Sequence, residues 1–241
     1  KGIEGDAHAG SGHRQVSLLG QEDIDRFSAE SAGGKPFLPG VFAENLTVAG
    51  ADLGSAGLLD RILVGKAELE VTQIGKVCHG TGCSVFTEAG RCVMPHAGVF
   101  TRVISGGKIE PGDRVELRPR PLKIAVITLS DRASRGEYAD LSGPKIKESL
   151  TAFFSGRKWH PEFSASIIPD DKSALAKALR KAVKNGADII FTTGGTGIGP
   201  RDITPEVVEK FSDKLICGIM DLIRLKHGER LPSALLSRSV A

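Results

Sequence analysis

Short segments in which apolar and polar residues alternate fill the first half of the chain. They lie at residues 15–19, 44–48, 67–72, 99–104 and 114–117. Alternation with a period of two is typical of strands that are buried on one face. Gly and Pro separate the segments, and one short helix fits residues 21–30, with little other helical pattern. Strands at this spacing without long helices predict a mainly-β domain, an antiparallel barrel or sandwich.

A different pattern begins after Pro119 and Pro121, two prolines that favour an extended linker. Its elements are predicted as strands at residues 123–129, 163–168 and 187–193 and helices at residues 143–154 and 172–185. The first strand is a continuous apolar run of the kind buried on both faces of a parallel sheet. Gly186 is the expected C′ residue of the second helix. Alternating strands and helices predict a doubly wound α/β/α domain with a mostly parallel sheet.

Two domains follow from this change of pattern. We expect the mainly-β barrel at residues 1–118, the α/β/α domain at residues 123–241, and a linker at residues 119–122. Because the chain begins without Met and ends within a pattern, we expect a fragment at both ends. The first domain would then be truncated at its N-terminus and the second at its C-terminus.

Composition excludes several classes of protein. Hydrophobic residues make up 40% of the chain and charged residues 25%, a balance that argues against intrinsic disorder. Lys and Arg number 32 and Asp and Glu 29, and a net charge of +3 is too small to predict a nucleic-acid surface. No apolar run approaches the roughly 18–20 residues of a membrane span. With four cysteines, no disulfide framework is expected and the cytoplasm is the expected location.

Glycine is concentrated after the third strand of the second domain. Four glycines within residues 194–199 let the backbone turn sharply and present successive amides, as phosphate-binding loops do. Thr204 is the expected N-cap and Pro205 the first residue of a following helix, whose N-terminus adds partial positive charge. The spacing fits neither a Walker A loop nor a dinucleotide fingerprint. We predict a phosphate site; the alternative is a tight turn before an ordinary helix.

Each of the three predicted strands of this domain is followed by an aspartate: Asp131, Asp170 and Asp202. In a parallel sheet these loops open on the same edge, so the three carboxylates are expected to converge beside the phosphate site. Such a cluster is favoured when a divalent cation such as Mg²⁺ lies between the oxygens. The alternatives are structural: Asp170 or Asp171 caps the next helix, and Asp131 forms an Asx-turn.

Several motifs of the second domain occur together: Ser130-Asp131-Arg132, Ile168-Pro169-Asp170-Asp171, Thr193-Gly194-Gly195-Thr196-Gly197 with Arg201-Asp202 and Thr204-Pro205-Glu206, and Leu236-Ser237-Arg238. With them, this domain resembles the molybdopterin adenylyltransferase family of molybdenum cofactor synthesis. The resemblance implies transfer of AMP from ATP to the terminal phosphate of molybdopterin, with Mg²⁺ and with release of pyrophosphate. It implies that Asp170 and Asp202 are catalytic, hold the Mg²⁺ and orient the attacking phosphate.

Further residues are expected to bind substrate or phosphate. They are Ser130, Asp131, Thr193, Gly194, Gly195, Thr196, Gly197, Thr204, Glu206, Asp221, Ser237 and Arg238. Asp221 stands where the family usually has Glu, one methylene longer. The family's next strand and its Pro-Gly loop would lie beyond Ala241, so the pocket is expected to be open on one side.

Cysteine and histidine carry the candidate chemistry of the first half. One interpretation is a zinc site formed by Cys78, Cys83, Cys92 and His96, although the spacing matches no common finger or ribbon. A second is that the cysteines are small buried apolar residues. A third is a reactive thiolate, because Lys76 and His79 beside Cys78 would lower the pKa of its thiol.

The first half also carries recognisable motifs: Gly5-Asp6-Ala7-His8-Ala9-Gly10, Arg14-Gln15-Val16-Ser17-Leu18-Leu19, the segment 39–47 and the segment 107–113. With these it resembles the MOSC domain, the β-barrel module of molybdenum cofactor sulfurases. The resemblance implies that Cys78 carries sulfur or ligates molybdenum, whereas Cys83 and Cys92 are additional and are assigned no shared catalytic role. For His8 and His13 the structural interpretation is a polar loop contact, since the glycines around them indicate a loop. For Glu44 and Asn45 two interpretations stay open, binding of the pterin phosphate and satisfaction of buried backbone groups.

Both resemblances indicate molybdenum cofactor biosynthesis. The first hypothesis is an enzyme, a MOSC domain fused to a molybdopterin adenylyltransferase; the second is a non-catalytic protein that binds molybdopterin or finished cofactor for delivery. A third gives the barrel sulfur transfer through Cys78. Expected ligands and partners are Mg²⁺, ATP, molybdopterin and other proteins of the pathway, in a homo-oligomer that the resemblance makes a trimer. Nucleic acid, membrane and pyridoxal phosphate are not expected.

Overall fold

The computed structural model describes residues 1–31, 36–77, 86–87 and 90–241. The chain divides into two units: the first contains Lys1–Arg120 and Lys158–His160, and the second contains Pro121–Arg157 and Pro161–Ala241. The predicted layout of two domains is confirmed. In the part of the chain that the structure describes, no helix combines the length and apolarity needed to cross a membrane.

The first unit is built on a six-stranded sheet. Its strands are β1 (Val16–Gly20), β2 (Leu46–Val48), β3 (Arg61–Val64), β4 (Ala67–Ile74), β5 (Val99–Ser105) and β6 (Val115–Arg118). They lie in the order β2-β1-β5-β4-β3-β6, with β1 and β2 parallel and the other pairs antiparallel. Within the described residues no pairing joins β2 to β6, so closure into a barrel stays a prediction.

Two apolar clusters stabilise this unit. The alternating residues of the strands place Leu18, Ile62 and Leu69 in one cluster on a single face of the sheet. Helix α1 (Gln21–Glu30), which occupies the predicted range, contributes Ile24 and Phe27 to the other. The short helix α2 (Met94–Ala97) and the 3₁₀ turn Leu53–Ser55 were not predicted, because each is too short to show helical periodicity.

The second unit has a three-stranded parallel sheet in the order β8-β7-β9. Its strands are β7 (Leu122–Leu129), β8 (Pro161–Ile168) and β9 (Ile189–Thr193), and its helices are α3 (Asp131–Ser134), α4 (Ser142–Phe154), α5 (Lys172–Lys184), α6 (Thr204–Phe211) and α7 (Cys217–Gly228), followed by the 3₁₀ helix Pro232–Leu236. The predicted alternation of strands and helices is confirmed. Since the strands are parallel, the loops after β7, β8 and β9 open on one edge.

Burial explains why β7 lies in the centre. From Ile124 to Leu129 its residues are all buried, as the continuous apolar run predicted. Ile127 and Leu129 pack against Leu175 and Leu179, which are one helical turn apart on α5. Gly186 follows α5 with φ +77°, a left-handed conformation that suits the predicted C′ glycine.

The expected start of helix α6 was wrong by one residue. The helix begins at Thr204 itself, and Ile203 occupies the N-cap position. The Thr204 side chain does not cap the helix, because its Oγ1 donates a hydrogen bond to the Gly194 carbonyl at 2.7 Å. The same residue's amide donates to the Gly195 carbonyl at 3.0 Å. Thr204 therefore fastens the glycine loop to the helix.

Candidate functional site

A cavity of about 620 Å³ lies at the edge of the sheet where the three loops open. Its lining includes six residues that the sequence predicted as site residues: Ser130, Asp170, Thr193, Gly194, Gly195 and Asp202. Thr193 is the last residue of β9, and the other five come from the loops after the three strands of the second unit. The parallel sheet thus brings together predicted site residues that lie as much as seventy or more residues apart along the chain.

Asp131 and Asp170 connect the loops after β7 and β8. The Asp131 amide donates to Asp170 Oδ2 at 3.0 Å, and the Asp170 amide donates to Asp131 Oδ1 at 3.1 Å. Arg201 Nη1 donates to the other Asp131 oxygen at 3.3 Å. Asp171, and not Asp170, caps helix α5, since its side chain accepts the Ala174 amide at 2.8 Å. The capping alternative for Asp170 is therefore excluded.

The glycine loop needs glycine at its first two positions. Gly194 has φ +96° and Gly195 φ +60°, and a Cβ on Gly194 would collide with the Leu129 carbonyl oxygen. A Cβ on Gly195 would lie 2.9 Å from Thr204 Oγ1 and 3.8 Å from Asp170 Oδ1. Any side chain here would enter the space between the loop and Asp170.

Asp202 holds the second part of this loop. Its Oδ2 accepts the Gly199 amide at 2.7 Å, and its own amide donates to the Gly199 carbonyl at 3.0 Å. A Cβ on Gly197 or Gly199 would lie 2.9 Å from Asp202 Oδ2, so the absence of side chains lets the loop wrap around this carboxylate. The prediction had given Asp202 no part in shaping the loop.

Arg238 binds the loop from the chain's C-terminal segment. The backbone amide of Arg238 donates a hydrogen bond to the Thr196 carbonyl at 2.9 Å. In its guanidinium group, Nε donates to the Gly197 carbonyl at 2.7 Å and Nη2 donates to the Asp202 carbonyl at 2.8 Å. The remaining nitrogen, Nη1, contacts the Glu206 carboxylate. The hydrogen bond from Arg238 lowers the pKa of Glu206 below its ordinary value. The predicted substrate-binding residues Arg238 and Glu206 thus hold each other, and they line a smaller cavity of about 440 Å³.

Two further predicted residues lie elsewhere. Asp221 accepts a hydrogen bond from Arg224 Nη2 at 2.7 Å, and Arg224 Nη1 also donates to the Ser237 carbonyl at 3.1 Å. The Ser237 hydroxyl pairs with the hydroxyl of Ser239 at 2.9 Å. Neither Asp221 nor Ser237 is among the described residues that line the two cavities. The structure places them in a network that fastens the C-terminal segment to α7.

Asp140 and Tyr138 line the larger cavity but were not predicted. Asp140 Oδ2 accepts the Thr128 hydroxyl at 2.8 Å, and Oδ1 accepts the amides of Ser142 and Gly143 at 2.9 and 3.2 Å. The Tyr138 hydroxyl lies 2.9 Å from Ser130 Oγ. An acidic residue shortly before Ser-Gly-Pro is a helix-start signal that would have drawn attention to Asp140.

The predicted metal centre is only partly formed. Among the described residues, no group of three His, Cys, Asp or Glu side chains is arranged to hold one metal ion. Convergence of three carboxylates on one cation was therefore wrong, because the oxygens of Asp131 face the Asp170 amide and Arg201. Asp170 and Asp202 do line the same cavity, and a magnesium site formed by these two stays a prediction.

In the first unit, Cys78, His79 and Cys83 lie outside the described residues, so the thiolate and zinc hypotheses stay predictions. His8 is an exposed loop residue whose Nδ1 lies 3.2 Å from Asp6 Oδ1. His13 Nε2 lies 3.4 Å from Gln73 Oε1. Both histidines make polar contacts, as the structural interpretation predicts.

Glu44 and Asn45 satisfy neighbouring polar groups. Asn45 Oδ1 accepts the Ser17 amide at 2.9 Å, and its Nδ2 donates to Asp6 Oδ2 at 2.9 Å. Glu44 Oε1 accepts the Gly40 amide at 2.6 Å and the Thr47 hydroxyl at 2.8 Å. Of the two interpretations left open, these contacts favour the satisfaction of backbone groups. The pKa of Asp6 is lowered, chiefly by the hydrogen bond from the His8 amide and next by that from Asn45.

Two family models match the chain, one on each half. The model described as a probable molybdopterin binding domain matches residues 125–239. The model described as the MOSC domain matches residues 5–116.

Named relatives are similar to half of the chain. The molybdopterin adenylyltransferase of Helicobacter pylori is 40% identical over 121 residues, which are 50% of this chain and 67% of the relative. That of Pyrococcus furiosus is 40% identical over 124 residues, 51% of this chain and 69% of the relative. A crystal structure of the tungsten cofactor synthesizing protein MoaB from Pyrococcus furiosus has 39% identity and a TM-score of 0.44, covering 51% of this chain and 73% of that one.

Proposed function

Because this chain belongs to the molybdopterin adenylyltransferase family and also carries a MOSC domain, we propose that its second unit transfers AMP from ATP to molybdopterin. In this reaction an oxygen of the molybdopterin phosphate bonds to the α-phosphorus of ATP. The bond from that phosphorus to the oxygen bridging to the β-phosphate breaks, and pyrophosphate leaves with the electron pair. The enzyme class and the pathway rest on the named relatives.

One observation carries the assignment of the site. The glycine loop at Gly194 and Gly195 and the carboxylates of Asp170 and Asp202 line one cavity at the sheet edge. The carbonyls of Gly194 and Gly195 accept hydrogen bonds from Thr204, which favours a loop whose amide side serves the ligand. Phosphoryl and nucleotidyl transfer need positioning and charge neutralisation more than covalent chemistry from the protein.

The two aspartates fit a magnesium ion. Asp170 Oδ2 is held by the Asp131 amide, and the other oxygen, Oδ1, faces the glycine loop. Asp202, a second residue with a hard carboxylate, lines the same cavity. One or two carboxylates together with substrate phosphates are the usual protein ligands of Mg²⁺. When bound, Mg²⁺ would neutralise phosphate charge, while Asp170 and Asp202 would hold it and the loop amides would orient the attacking phosphate.

The first unit is proposed to bind molybdenum cofactor, or to carry sulfur through Cys78. The MOSC match supports the general role, and a soft thiolate suits either sulfur or molybdenum. Joining two such units raises the effective concentration of an intermediate that both handle. If sulfur transfer runs through Cys78, a Cys78→Ala protein loses persulfide, detected by alkylation and mass spectrometry; persulfide retained at another residue would exclude the role.

A second candidate function, cofactor binding and delivery without adenylyl transfer, is favoured by one observation. Among the described residues that line the larger cavity, Arg201 is the one Lys or Arg, and it already contacts Asp131. A triphosphate would therefore meet few positive side chains. Release of pyrophosphate from ATP on addition of molybdopterin and Mg²⁺ distinguishes the two: the transferase produces it, and the delivery protein does not. Location, partner proteins and oligomeric state stay predictions.

A further inference from the structure

Strand β8 forms one edge of the sheet in the second unit, and its outer side is open. Among the described residues, β8 pairs with β7 on one side and with no strand on the other. Every residue from Ser164 to Ile167 is exposed, and Ile167 keeps 43% of its accessible surface. On β9, the opposite edge strand, Ile189 is the one exposed residue of five. The edge at β8 is therefore the more open of the two.

The exposed part of β8 lacks the features that usually protect an edge strand. Its register with β7 runs from Pro161 to Ile168 without a shift, so the strand has no bulge. Pro161 and Glu162 stand at the start of the strand, and residues 163–168 contain neither a proline nor a charged residue. Natural edge strands carry such features because an unprotected edge pairs with another chain. This part of β8 is thus suited to accept a further strand.

The backbone groups of alternate residues of β8 point to the open side. The Ile168 carbonyl accepts the amide of Ser130, the residue that directly follows β7, at 2.9 Å. Because the backbone groups of successive residues point to opposite sides of a strand, those of Phe163, Ala165 and Ile167 point away from β7. Their amides and carbonyls therefore face the place that a new strand would occupy.

The sequence of β8 has the same character in both directions. Around Ala165 the order of residues is Phe-Ser-Ala-Ser-Ile, with serines next to the alanine and large apolar residues outside them. Antiparallel pairing of two copies would set Phe163 opposite Ile167, Ser164 opposite Ser166, and Ala165 opposite itself. A two-fold interface requires this kind of self-complementary surface. The partner that fits best is therefore a second copy of this chain.

The two faces of β8 agree with this pairing. Phe163 lies on the side of helix α4, where Lys147 Nζ is 6.0 Å from the ring centroid. A groove of about 610 Å³ runs between α4 and β8 and includes Phe163 and Ile167, so the face has room for large apolar side chains of a second strand. Ile168 packs on the opposite face, against the cluster that contains Leu175 of α5. The small serines of β8 lie on that face and would pair there.

We propose that β8 pairs antiparallel with β8 of a second copy of this chain, centred on Ala165, so that two three-stranded sheets become one sheet of six strands. Pairing of Phe163, Ala165 and Ile167 with the second copy would add about six backbone hydrogen bonds. Residues 163–168 bring no charge into the pairing. A two-fold contact of this kind doubles any assembly that other surfaces form. The proposal does not depend on adenylyl transfer.

The mass of the full chain in solution tests the pairing. Ala165→Asp would set two carboxylates opposite each other on the two-fold axis, whereas Ala165→Asn has nearly the same shape without the charge. In sedimentation equilibrium at one protein concentration, Ala165→Asp should have about half the mass of the parent protein and of Ala165→Asn, because like charges directly opposite each other destabilise a strand pair. Circular dichroism checks that both variants are folded. Equal masses for the parent and a folded Ala165→Asp protein would overturn the proposal.

Disulfide formation between copies tests the register. In the proposed pairing the two Ala165 Cα atoms lie about 5.5 Å apart, within the range that a disulfide spans, so Ala165→Cys should form a cross-linked pair under mild oxidation. Glu162→Cys is the matched control, because this residue is also exposed but its two copies would lie about 20 Å apart. Mass spectrometry of the peptides identifies the bond among those of the native cysteines. Absence of a bond between the two copies of residue 165, or equal cross-linking at residue 162, would contradict the pairing.

Discussion

Asp131 and Asp170 bond each other's backbone amides, at 3.0 and 3.1 Å, across the loops that follow two neighbouring parallel strands. Each carboxylate therefore fixes the loop that carries the other. The Asp170 oxygen that remains faces the glycine loop, so a structural contact sets the position of a proposed catalytic group.

Replacing both aspartates should show that the two hydrogen bonds between Asp131 and Asp170 depend on each other. Asp131→Ala and Asp170→Ala each leave a backbone amide without its acceptor, at about 1–3 kcal/mol in the free energy of unfolding. The double variant should lose less than the sum, with a coupling of about 0.5–3 kcal/mol in urea denaturation. Additive losses would show that the two contacts are independent.

Asp202→Asn should separate catalysis from folding. The Asn side-chain oxygen can still accept the Gly199 amide, so the unfolding midpoint should stay close to that of the parent protein. Loss of the negative charge should lower Mg²⁺-dependent turnover by about 10²-fold or more, the usual cost of removing one group that stabilises the transition state. Turnover near the parent value would remove Asp202 from the catalytic machinery.

Gly194→Ala tests whether the loop requires glycine. The positive φ alone costs about 1–2 kcal/mol, and the clash with the Leu129 carbonyl adds about 1–3 kcal/mol. Gly136→Ala is the matched control, since Gly136 has φ +75° and open space around the added methyl group. Urea unfolding should show the larger loss for Gly194→Ala, together with loss of activity. Equal losses would mean that the loop has room for a side chain.

Arg238→Lys should impair the loop without removing the positive charge. The Arg238 guanidinium group bonds Gly197, Asp202 and Glu206 at the same time, whereas Lys has a single ammonium group. The glycine loop should therefore be held less firmly in the variant. We expect kcat/KM for molybdopterin to fall by about tenfold or more, since misplacing reacting groups is costly. Arg180→Ala, an exposed change on α5, should leave the rate unchanged. If Arg238→Lys had the same kcat/KM as the parent protein, the multiple hydrogen bonds of the guanidinium group would not be required.

Lowering the pH should weaken the contact between Arg238 and Glu206. The hydrogen bond from Arg238 holds the pKa of Glu206 below its ordinary value of 4.5. The folded state therefore prefers the ionised carboxylate, and its contribution to stability is complete above pH 4.5 and lost as pH falls through the folded-state pKa. Glu206→Gln should make unfolding less sensitive to pH in that range. An unchanged pH dependence would show that the pair does not contribute.

Periodicity and topology account for what the sequence predicted well. The apolar run at residues 123–129 could only be buried on both faces, and a parallel sheet then requires the loops with Asp170 and Asp202 to open on one edge. The sequence could not show how the side chains pair. Arg238 contacts Glu206, which is 32 residues away in sequence, and Asp140 accepts a hydrogen bond from Thr128 across a loop. Both contacts arise from the packing of distant segments, which the local sequence pattern does not encode.

Transfer of label from ATP to molybdopterin tests the central claim most directly. Full-length protein is incubated with molybdopterin, Mg²⁺ and ATP labelled at the α-phosphate or, in a parallel sample, at the γ-phosphate, and the pterin product is isolated. Adenylyl transfer predicts that the α-label appears in the pterin while the γ-label leaves in pyrophosphate. A pterin fraction free of α-label, from protein shown to bind molybdopterin, would contradict the account and support delivery instead.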